Sequence, residues 1–161
     1  LATQHLIDLG RRRIATITGP GDMQASLERL AGWRAALAGA GLDDDLSARG
    51  DFTRASGAAA MRELLTRAPD LDAVFAASDL MAVGAISVLR ERGIRVPDDI
   101  PVIGFDDSPA ATSEEIGITT VHQPSYEMGG RMAQVMLGLL KGDDVERHSI
   151  LPTYLVRRES A

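Results

Sequence analysis

The sequence contains no cysteine, which excludes disulfide bonds, thiolate chemistry and cysteine-ligated zinc. It also has no long apolar run, because its hydrophobic stretches end at glycine, aspartate or arginine before the roughly 18 residues of a membrane span. Basic residues are not in excess, since 23 acidic against 17 basic side chains give a net charge of −6. This balance argues against a broad basic face for nucleic acid. The lack of cysteine fits a reducing cytosol, where we expect the protein.

The sequence motifs of several enzyme classes are missing as well. There is no Gly-x-x-x-x-Gly-Lys phosphate loop and no Gly-x-Ser-x-Gly nucleophile elbow. Gly19-Pro20-Gly21 begins like a dinucleotide-binding loop, but Gln24 stands where the third glycine belongs. The histidines are too dispersed to suggest a metal site: His5, His122 and His148. We therefore predict a binding protein rather than an enzyme, with no catalytic residue, metal or cofactor.

What the sequence does contain is a regular alternation of helical and strand patterns. Helices are predicted at Leu1–Leu9, from a capping Ser26 to Gly39, at Ala55–Arg67 and at Asp79–Arg92. Strands are predicted at Arg13–Thr18, Leu46–Phe52, Ala73–Ala77 and Val102–Phe105. Alternation with short links is typical of an α/β fold, in which a parallel sheet is covered by helices on both faces.

The last part of the chain has a different pattern. Ile118–Val121 is a short extended segment, Ser125–Lys141 is a helix, and Ile150–Val156 is a final strand that contains Pro152. Because proline cannot donate to a strand ladder, this strand is predicted at an edge or at a bulge. The sequence leaves open whether this part joins the same sheet.

Polar side chains follow each predicted strand. They are Asp22 after the first strand, Thr53 next to Phe52 after the second, Ser78 and Asp79 after the third, and Asp106, Asp107 and Ser108 after the fourth. The carboxyl ends of parallel strands meet at one edge of a sheet, so we expect these side chains to lie together. Carboxylates accept hydrogen bonds from paired hydroxyls and a ring stacks on the C–H face of a sugar. This edge, which we call the rim, therefore suits a polyhydroxylated ligand.

Each of these residues also has a purely structural interpretation. Ser78 or Asp79 can cap the following helix, and Asp106 with Asp107 can form a simple turn. Phe52 can be edge core, and Arg29 can be a solvated arginine paired with a neighbour. Only their convergence on one rim favours a binding site.

Several segments, in one order, resemble a known family. They are HLIDLG at 5–10, RLAGW at 29–33, GDFT at 50–53, ASDLMAVGA at 77–85, VPDDIPVIGFDD at 96–107, ITTVHQP at 118–124 and LVRR at 155–158. The series is similar to the effector-binding core of LacI/GalR bacterial transcription regulators and spans essentially all 161 residues. The run at 96–107 is the most specific part of the match.

The resemblance implies a type I periplasmic-binding-protein-like fold and a division of the chain. Residues 1–117 would form the C-terminal lobe, and residues 118–161 would contribute the crossover, one helix and the final strand of the N-terminal lobe. Because the chain starts at Leu1 inside a helical pattern, we expect it to be cut from a longer protein. The DNA-binding headpiece and the rest of the N-terminal lobe would lie outside it.

The resemblance also implies which residues contact the ligand and what the partners are. The matching positions are Arg29, Phe52, Ser78, Asp106 and Gln123, of which Gln123 is supplied by the resemblance alone. Ser78 stands where the family usually has asparagine, so the ligand or a water molecule would differ there. The implied partners are a sugar or nucleobase-like effector and a second copy of the chain. Operator DNA would be bound only through the headpiece, and no membrane is implied.

Two surfaces carry expectations that follow from the family. Leu80–Leu89 and Ser108–Ile116 are candidate dimer contacts, with Met81, Val88 and Ile116 as their apolar residues. The helix Ser125–Lys141 packs on the other lobe in the family. Without that lobe, we expect its apolar face to dock elsewhere, to pair with another copy or to be poorly ordered.

Two other functions stay open from the sequence. A secreted sugar-binding protein of a transporter would have the same fold without DNA binding. An enzyme on a flavodoxin-like sheet would need a nucleophile or a phosphate loop that the rim does not contain.

Overall fold

The fold is built on one β-sheet. The computed structural model describes residues 1–113, 115–146 and 148–161. Its strands are β1 (Ile14–Thr18), β2 (Ser47–Arg49), β3 (Ala73–Ala76), β4 (Val102–Asp106), β5 (Thr119–His122) and β6 (Tyr154–Val156). The sheet has six strands in the order β2-β1-β3-β4-β5-β6. Neighbouring strands are parallel except β6, which runs antiparallel to β5. The predicted α/β sheet is thereby confirmed.

Helices connect the strands in the predicted alternation. They are α1 (Ala2–Asp8), α2 (Gln24–Gly39), α3 (Arg54–Arg67), α4 (Asp79–Glu91) and α5 (Ser125–Lys141), with a 3-10 turn at Pro109–Thr112. The prediction that Ser26 caps α2 is wrong. The helix begins at Gln24, three residues before the start that a Ser26 cap implies, and Ser26 is buried in its first turn. Its hydroxyl lies near Gly19 in the interior, where it cannot serve a free helix end.

Two apolar cores lie on the two faces of the sheet. One contains side chains of α3 and α4, among them Met61, Leu64 and Leu89. The other contains side chains of α1 and α2, among them Leu6 and Trp33. Because each core is built from one helix pair and alternate strand residues, helices cover both faces, as the alternation predicts.

The last strands complete the sheet. β5 pairs with β4, and β6 pairs with β5 at the edge of the sheet. Because an edge strand pairs on one side only, Pro152, which precedes β6 and has no N–H to donate, is tolerated there. The strand is shorter than the predicted Ile150–Val156. The division of the chain after residue 117 stays a prediction, but the sheet itself continues through β5 and β6.

Helix α5 leaves the sheet and exposes its apolar face. Met132, Met136 and Leu140 are 67%, 60% and 76% exposed, and Gly138 is the buried residue of the helix. Of the three outcomes expected for this face, docking elsewhere on the chain is wrong for the described residues, whereas pairing with another copy stays a prediction. A second correction concerns the candidate dimer contacts, because Met81 and Val88 are buried in the α3–α4 core and cannot offer surface.

Helices α3 and α4 approach each other closely at two glycines. A Cβ atom added at Gly57 would overlap the backbone of Met81, and one added at Gly84 would overlap the backbone of Arg54. Backbone cannot rotate away as a flexible side chain can, so both positions require glycine.

We expect Gly57→Ala to lower the free energy of unfolding by about 2 kcal/mol, because overpacking forces the two helices apart. Gly32→Ala in α2 is the matched control, since a Cβ there meets nothing within 4 Å. The control should be neutral or stabilise by about 0.5–1 kcal/mol. Urea unfolding followed by circular dichroism measures both variants, and equal stabilities for the two would contradict the packing argument.

Candidate functional site

The rim at the carboxyl ends of the parallel strands brings four of the five predicted site residues together. Chain connections diverge there: β1 lies between β2 and β3, so the chain leaves it toward one side and returns on the other. In open α/β sheets this reversal leaves a crevice where ligands bind. Arg29, on the second turn of α2 after β1, reaches across the crevice toward the ends of β3, β4 and β5.

The guanidinium of Arg29 is the centre of the site. Its Nη1 donates to the Ala77 carbonyl at 2.6 Å, and its Nη2 donates to Gln123 Oε1 at 2.9 Å. The same Nη2 lies 3.4 Å from Asp106 Oδ1, so the ion pair is the weakest of the three contacts. Only 13% of the Arg29 side chain is exposed. The interpretation of Arg29 as a solvated arginine is therefore wrong.

Aromatic rings flank the guanidinium. Arg29 Cζ lies 3.8 Å from the centre of the Phe105 ring and 5.9 Å from that of Phe52, both within cation–π range. Phe52 in turn rests on Gly19, where an added Cβ would overlap the ring. The glycine after β1 therefore lets the ring of Phe52 lie against the backbone.

Burial dominates the electrostatics of the ion pair between Arg29 and Asp106. Desolvation raises the pKa of Asp106 to about 6, although Arg29 opposes this and Asp79 adds to it. Desolvation also lowers the pKa of Arg29, against the attraction of Asp106. Both shifts disfavour the charged forms, because the 3.4 Å contact does not replace the water that each group has lost. A ligand hydroxyl that bonds to the carboxylate would replace part of it.

The backbone at the rim is strained at three residues that have positive φ. Phe52 has φ 68°, Asp106 has φ 116° and Asp107 has φ 55°. Side-chain-bearing residues rarely adopt this region, which costs of order 1–3 kcal/mol each and is found mostly where a function requires it.

Ser78 lies beside the cluster, but its hydroxyl is engaged. Its Oγ accepts from Met81 N at 3.3 Å and caps α4, and the side chain is buried. The capping interpretation is thus confirmed. The hydroxyl can still donate its proton to a ligand. Ser78 lies next to Arg29 in the structure, because the carbonyl of the preceding residue, Ala77, accepts a hydrogen bond from Arg29.

Two other carboxylates, Asp79 after β3 and Asp107 after β4, are engaged by protein groups rather than free to face the crevice. Asp79 is fully buried and accepts from Ser108 and Thr120. Asp107 accepts from Arg158 Nη2 at 2.6 Å and contacts His122 Nδ1 at 2.9 Å. Burial raises the pKa of Asp107, but these two partners outweigh it and the net direction is downward. Among the rim carboxylates after β3 and β4, Asp106 is the one that turns toward Arg29.

Sequence reasoning missed Phe105. Its apolar neighbours in β4 are buried, so the pattern assigned it to the core, whereas it is half-buried and lies against Arg29. Its position directly before Asp106 is the signal that could have identified it.

Two concavities adjoin the cluster. A cavity of about 290 Å³ lies next to Arg29 and is also lined by Phe105 and Trp33. A groove of about 490 Å³ begins at Gln123 and runs along the exposed face of α5. Within the described ranges no group of three or more His, Cys, Asp or Glu side chains could hold a metal ion.

Comparison with known proteins identifies the family. The profile of the periplasmic binding protein-like domain matches residues 3–161. The chain belongs to this family. It is part of the core of a LacI/GalR-type protein, as its relatives show.

The chain is 54% identical over 162 residues to the HTH-type transcriptional regulator CelR of Thermobifida fusca, covering 99% of this chain and 48% of CelR. It is 41% identical to the ribose operon repressor of Escherichia coli (strain K12), covering 100% of this chain and 50% of the repressor. The structure of a CelR–cellobiose complex superposes with a TM-score of 0.95 at 53% identity, covering 99% of this chain and 50% of that one.

This LacI/GalR-type core spans about half the length of the curated relatives it matches. In the part of the chain that the structure describes, no helix is long and apolar enough to cross a membrane. The resemblance drawn from the motifs is confirmed, whereas the roles of the five site residues remain predictions.

The raised pKa of Asp106 predicts a pH dependence of stability. Between pH 4 and 6 the folded state holds a proton on Asp106 that the unfolded state releases, so the free energy of unfolding should fall as pH rises through this window. We expect a loss of about 1 kcal/mol, less than a full two-unit shift gives, because the side chain is 35% exposed and water screens it.

Urea unfolding at several pH values measures this slope. Asp106→Asn is the matched variant, because the amide has the same shape but does not titrate. The difference in the free energy of unfolding between the two proteins should therefore change between pH 4 and 6, and a constant difference would contradict the raised pKa.

Proposed function

We propose that this chain is the ligand-sensing core of a sugar-responsive bacterial transcription regulator. The contact of Arg29 with Asp106, Gln123 and Phe105 in one crevice carries the proposal. Charged and amide groups beside aromatic rings suit a small molecule that presents both hydroxyls and a C–H face. The named relatives support it: one regulator is complexed with cellobiose, and another is a ribose operon repressor.

The binding roles follow from the donor and acceptor inventory. Ionised Asp106 accepts from one or two ligand hydroxyls, and Gln123 offers its amide nitrogen while its oxygen holds Arg29. Arg29 orients these two side chains and can donate to a ligand oxygen. Phe52, half-buried at the crevice mouth, supplies the ring face for stacking.

The role in regulation also rests on the relatives. CelR and the ribose operon repressor are named as transcription regulators, not as transporter components or enzymes, and the lac repressor dimer bound to operator superposes with a TM-score of 0.93 at 31% identity, covering 99% of this chain and 56% of that one. We infer a non-enzymatic cytoplasmic protein, in which a headpiece outside this segment binds operator DNA and ligand binding shifts that affinity.

The lobes and the dimer are part of the proposal. We infer that the exposed face of α5 packs on the remainder of an N-terminal lobe, which would supply the other side of the crevice. For the dimer, Leu80 is 48% exposed and lies on α4 next to the 3-10 turn at Pro109–Thr112. We keep the two predicted segments as the candidate contact between copies, with Leu80 in place of the buried Met81 and Val88.

Ligand binding tests the site directly. With cellobiose and D-ribose as the first probes in a thermal-shift panel of sugars and nucleosides, we expect a ligand-dependent shift for the full-length regulator. Arg29→Ala and Asp106→Ala should each weaken the best hit at least tenfold in isothermal calorimetry, because each removes a charge-assisted hydrogen bond.

Arg34→Ala is the matched control. Arg34 lies on the same helix, but it is 55% exposed and pairs with Asp44 outside the crevice, so its loss should leave the affinity unchanged. If both site variants bind the best hit as tightly as the control, the assignment of the site is wrong.

The exposed face of α5 predicts the behaviour of the 161-residue chain on its own. An exposed apolar helix face favours association, so the isolated chain should self-associate or bind the dye ANS. Met132→Gln with Met136→Gln should reduce both, whereas Tyr126→Gln, at the exposed start of the helix, should not. Light scattering and ANS fluorescence measure the effect. Identical behaviour of all variants would show that the face of α5 is not the surface that drives self-association.

A further inference from the structure

Asp79 is a fully buried carboxylate that has no place among the ligand contacts. Its Oδ2 accepts from the backbone N–H of Ser108 at 2.7 Å and from the Ser108 hydroxyl at 3.0 Å. Its Oδ1 accepts from the Thr120 hydroxyl at 2.6 Å. The side chain therefore ties the start of α4 to the segment after β4 and to β5.

These hydrogen bonds enclose two strained residues. Asp106, the last residue of β4, and Asp107, which follows it, both have positive φ and lead into Ser108. The Thr120 hydroxyl that donates to Asp79 also accepts from the Asp107 N–H, at 3.4 Å. Asp79 thus fixes the end of this dipeptide through Ser108 and its middle through Thr120. Strained backbone of this kind persists only where surrounding contacts determine it.

Strand β4, just before the dipeptide, passes close to the Asp79 carboxylate. A Cβ atom added at Gly104, in β4, would overlap Asp79 Oδ1 and lie 3.2 Å from Asp79 Cα. The strand can therefore pass Asp79 only because residue 104 is glycine. From the opposite side, Arg158 and His122 hold the side chain of Asp107, which leaves Asp106 to turn toward Arg29.

We propose that Asp79 is a positioning residue that holds the strained Asp106–Asp107 dipeptide, through Ser108 and Thr120, so that the Asp106 carboxylate faces Arg29. The inference deepens the proposed function, because it concerns the same crevice, but Asp79 touches no ligand. Its effect on binding is exerted through Asp106 alone.

The test must loosen the dipeptide without changing the charge near Asp106. Asp79→Asn is unsuitable, because Asp79 faces Asp106 from α4 and losing its charge would itself lower the pKa of Asp106. Thr120→Val keeps the Asp79 carboxyl group and nearly the same shape at position 120, and it removes both hydrogen bonds of the hydroxyl. Ser108→Ala is the milder second variant, since it removes only one bond to Asp79.

Carboxyl ¹³C NMR titration of Asp106 in the 161-residue chain is the measurement. In the parent, the titration midpoint should lie near 6. In Thr120→Val, we expect it to fall by about one pH unit, because the released carboxyl turns toward water and away from the burial that raises its pKa. If Thr120→Val does not fold, Ser108→Ala should give a smaller shift in the same direction. Arg29, which also faces Asp106, is unchanged in both variants. Each variant removes a donor that lowers the pKa of Asp79, so the Asp79 carboxyl is followed in the same spectra. A lower Asp106 midpoint with Asp79 still ionised supports the proposal, and one that coincides with protonation of Asp79 overturns it.

Thr16→Val is the matched control. Thr16 is an equally buried strand threonine, whose hydroxyl donates to the Phe75 carbonyl instead of to Asp79. The control should lose stability but keep the Asp106 midpoint of the parent. An unmoved midpoint in folded Thr120→Val or Ser108→Ala, an equal shift in the control, or a parent midpoint at the ordinary value near 4 would each overturn the proposal.

A binding measurement separates this proposal from the proposed function. In the full-length regulator, with the best sugar from the panel, Thr120→Val should weaken binding about tenfold, with no further loss when it is added to Asp106→Asn. Absence of sugar binding by the parent would defeat the proposed function while the titration still tests Asp79. An additional loss in the Asp106→Asn background would show that Thr120 acts on binding by another route, against the proposal.

Discussion

The contact between Arg29 and Asp106 is the constraint on which the rim depends. Both groups have lost most of their water, yet their atoms are 3.4 Å apart and burial shifts both pKa values toward the neutral forms. Such a pair is held by its surroundings rather than by its own attraction. The Ala77 carbonyl, Gln123 and the Phe105 ring hold the guanidinium, and the strained backbone holds the carboxylate.

The order of the strands explains why these groups can meet. Arg29 follows β1, Ala77 follows β3, Asp106 ends β4 and Gln123 follows β5, and these strands are neighbours in the sheet. Their common direction places all of these positions at one edge, so most of the rim could be predicted from periodicity and strand ends. Gln123 is the exception, because only the family resemblance supplied it. The alternation of elements likewise follows from apolar spacing, with boundaries that differ by a few residues.

What the sequence could not predict is how each polar group is used. Asp79 and Asp106 both lie at the carboxyl end of a strand. Asp79 is buried and accepts three hydrogen bonds, whereas Asp106 faces the crevice. Nothing in their local patterns separates them, because Asp79 is buried by Ser108 and Thr120, which are 29 and 41 residues from it in the sequence. Ser26 shows the same limit: a serine before an apolar run is typical of a cap, but its place against Gly19 is decided by packing.

The electrostatics of the rim give a reason why closure of a crevice would depend on a ligand. In the described structure about a third of the Asp106 side chain still touches water. A second lobe closing over it would remove that water and raise the cost of the ionised carboxylate further. Hydroxyls of a bound sugar would replace the lost hydrogen bonds, so the closed arrangement becomes favourable only with the ligand present. A site that is incompletely satisfied when empty can thereby couple occupancy to the arrangement of the lobes, which is what a sensor requires.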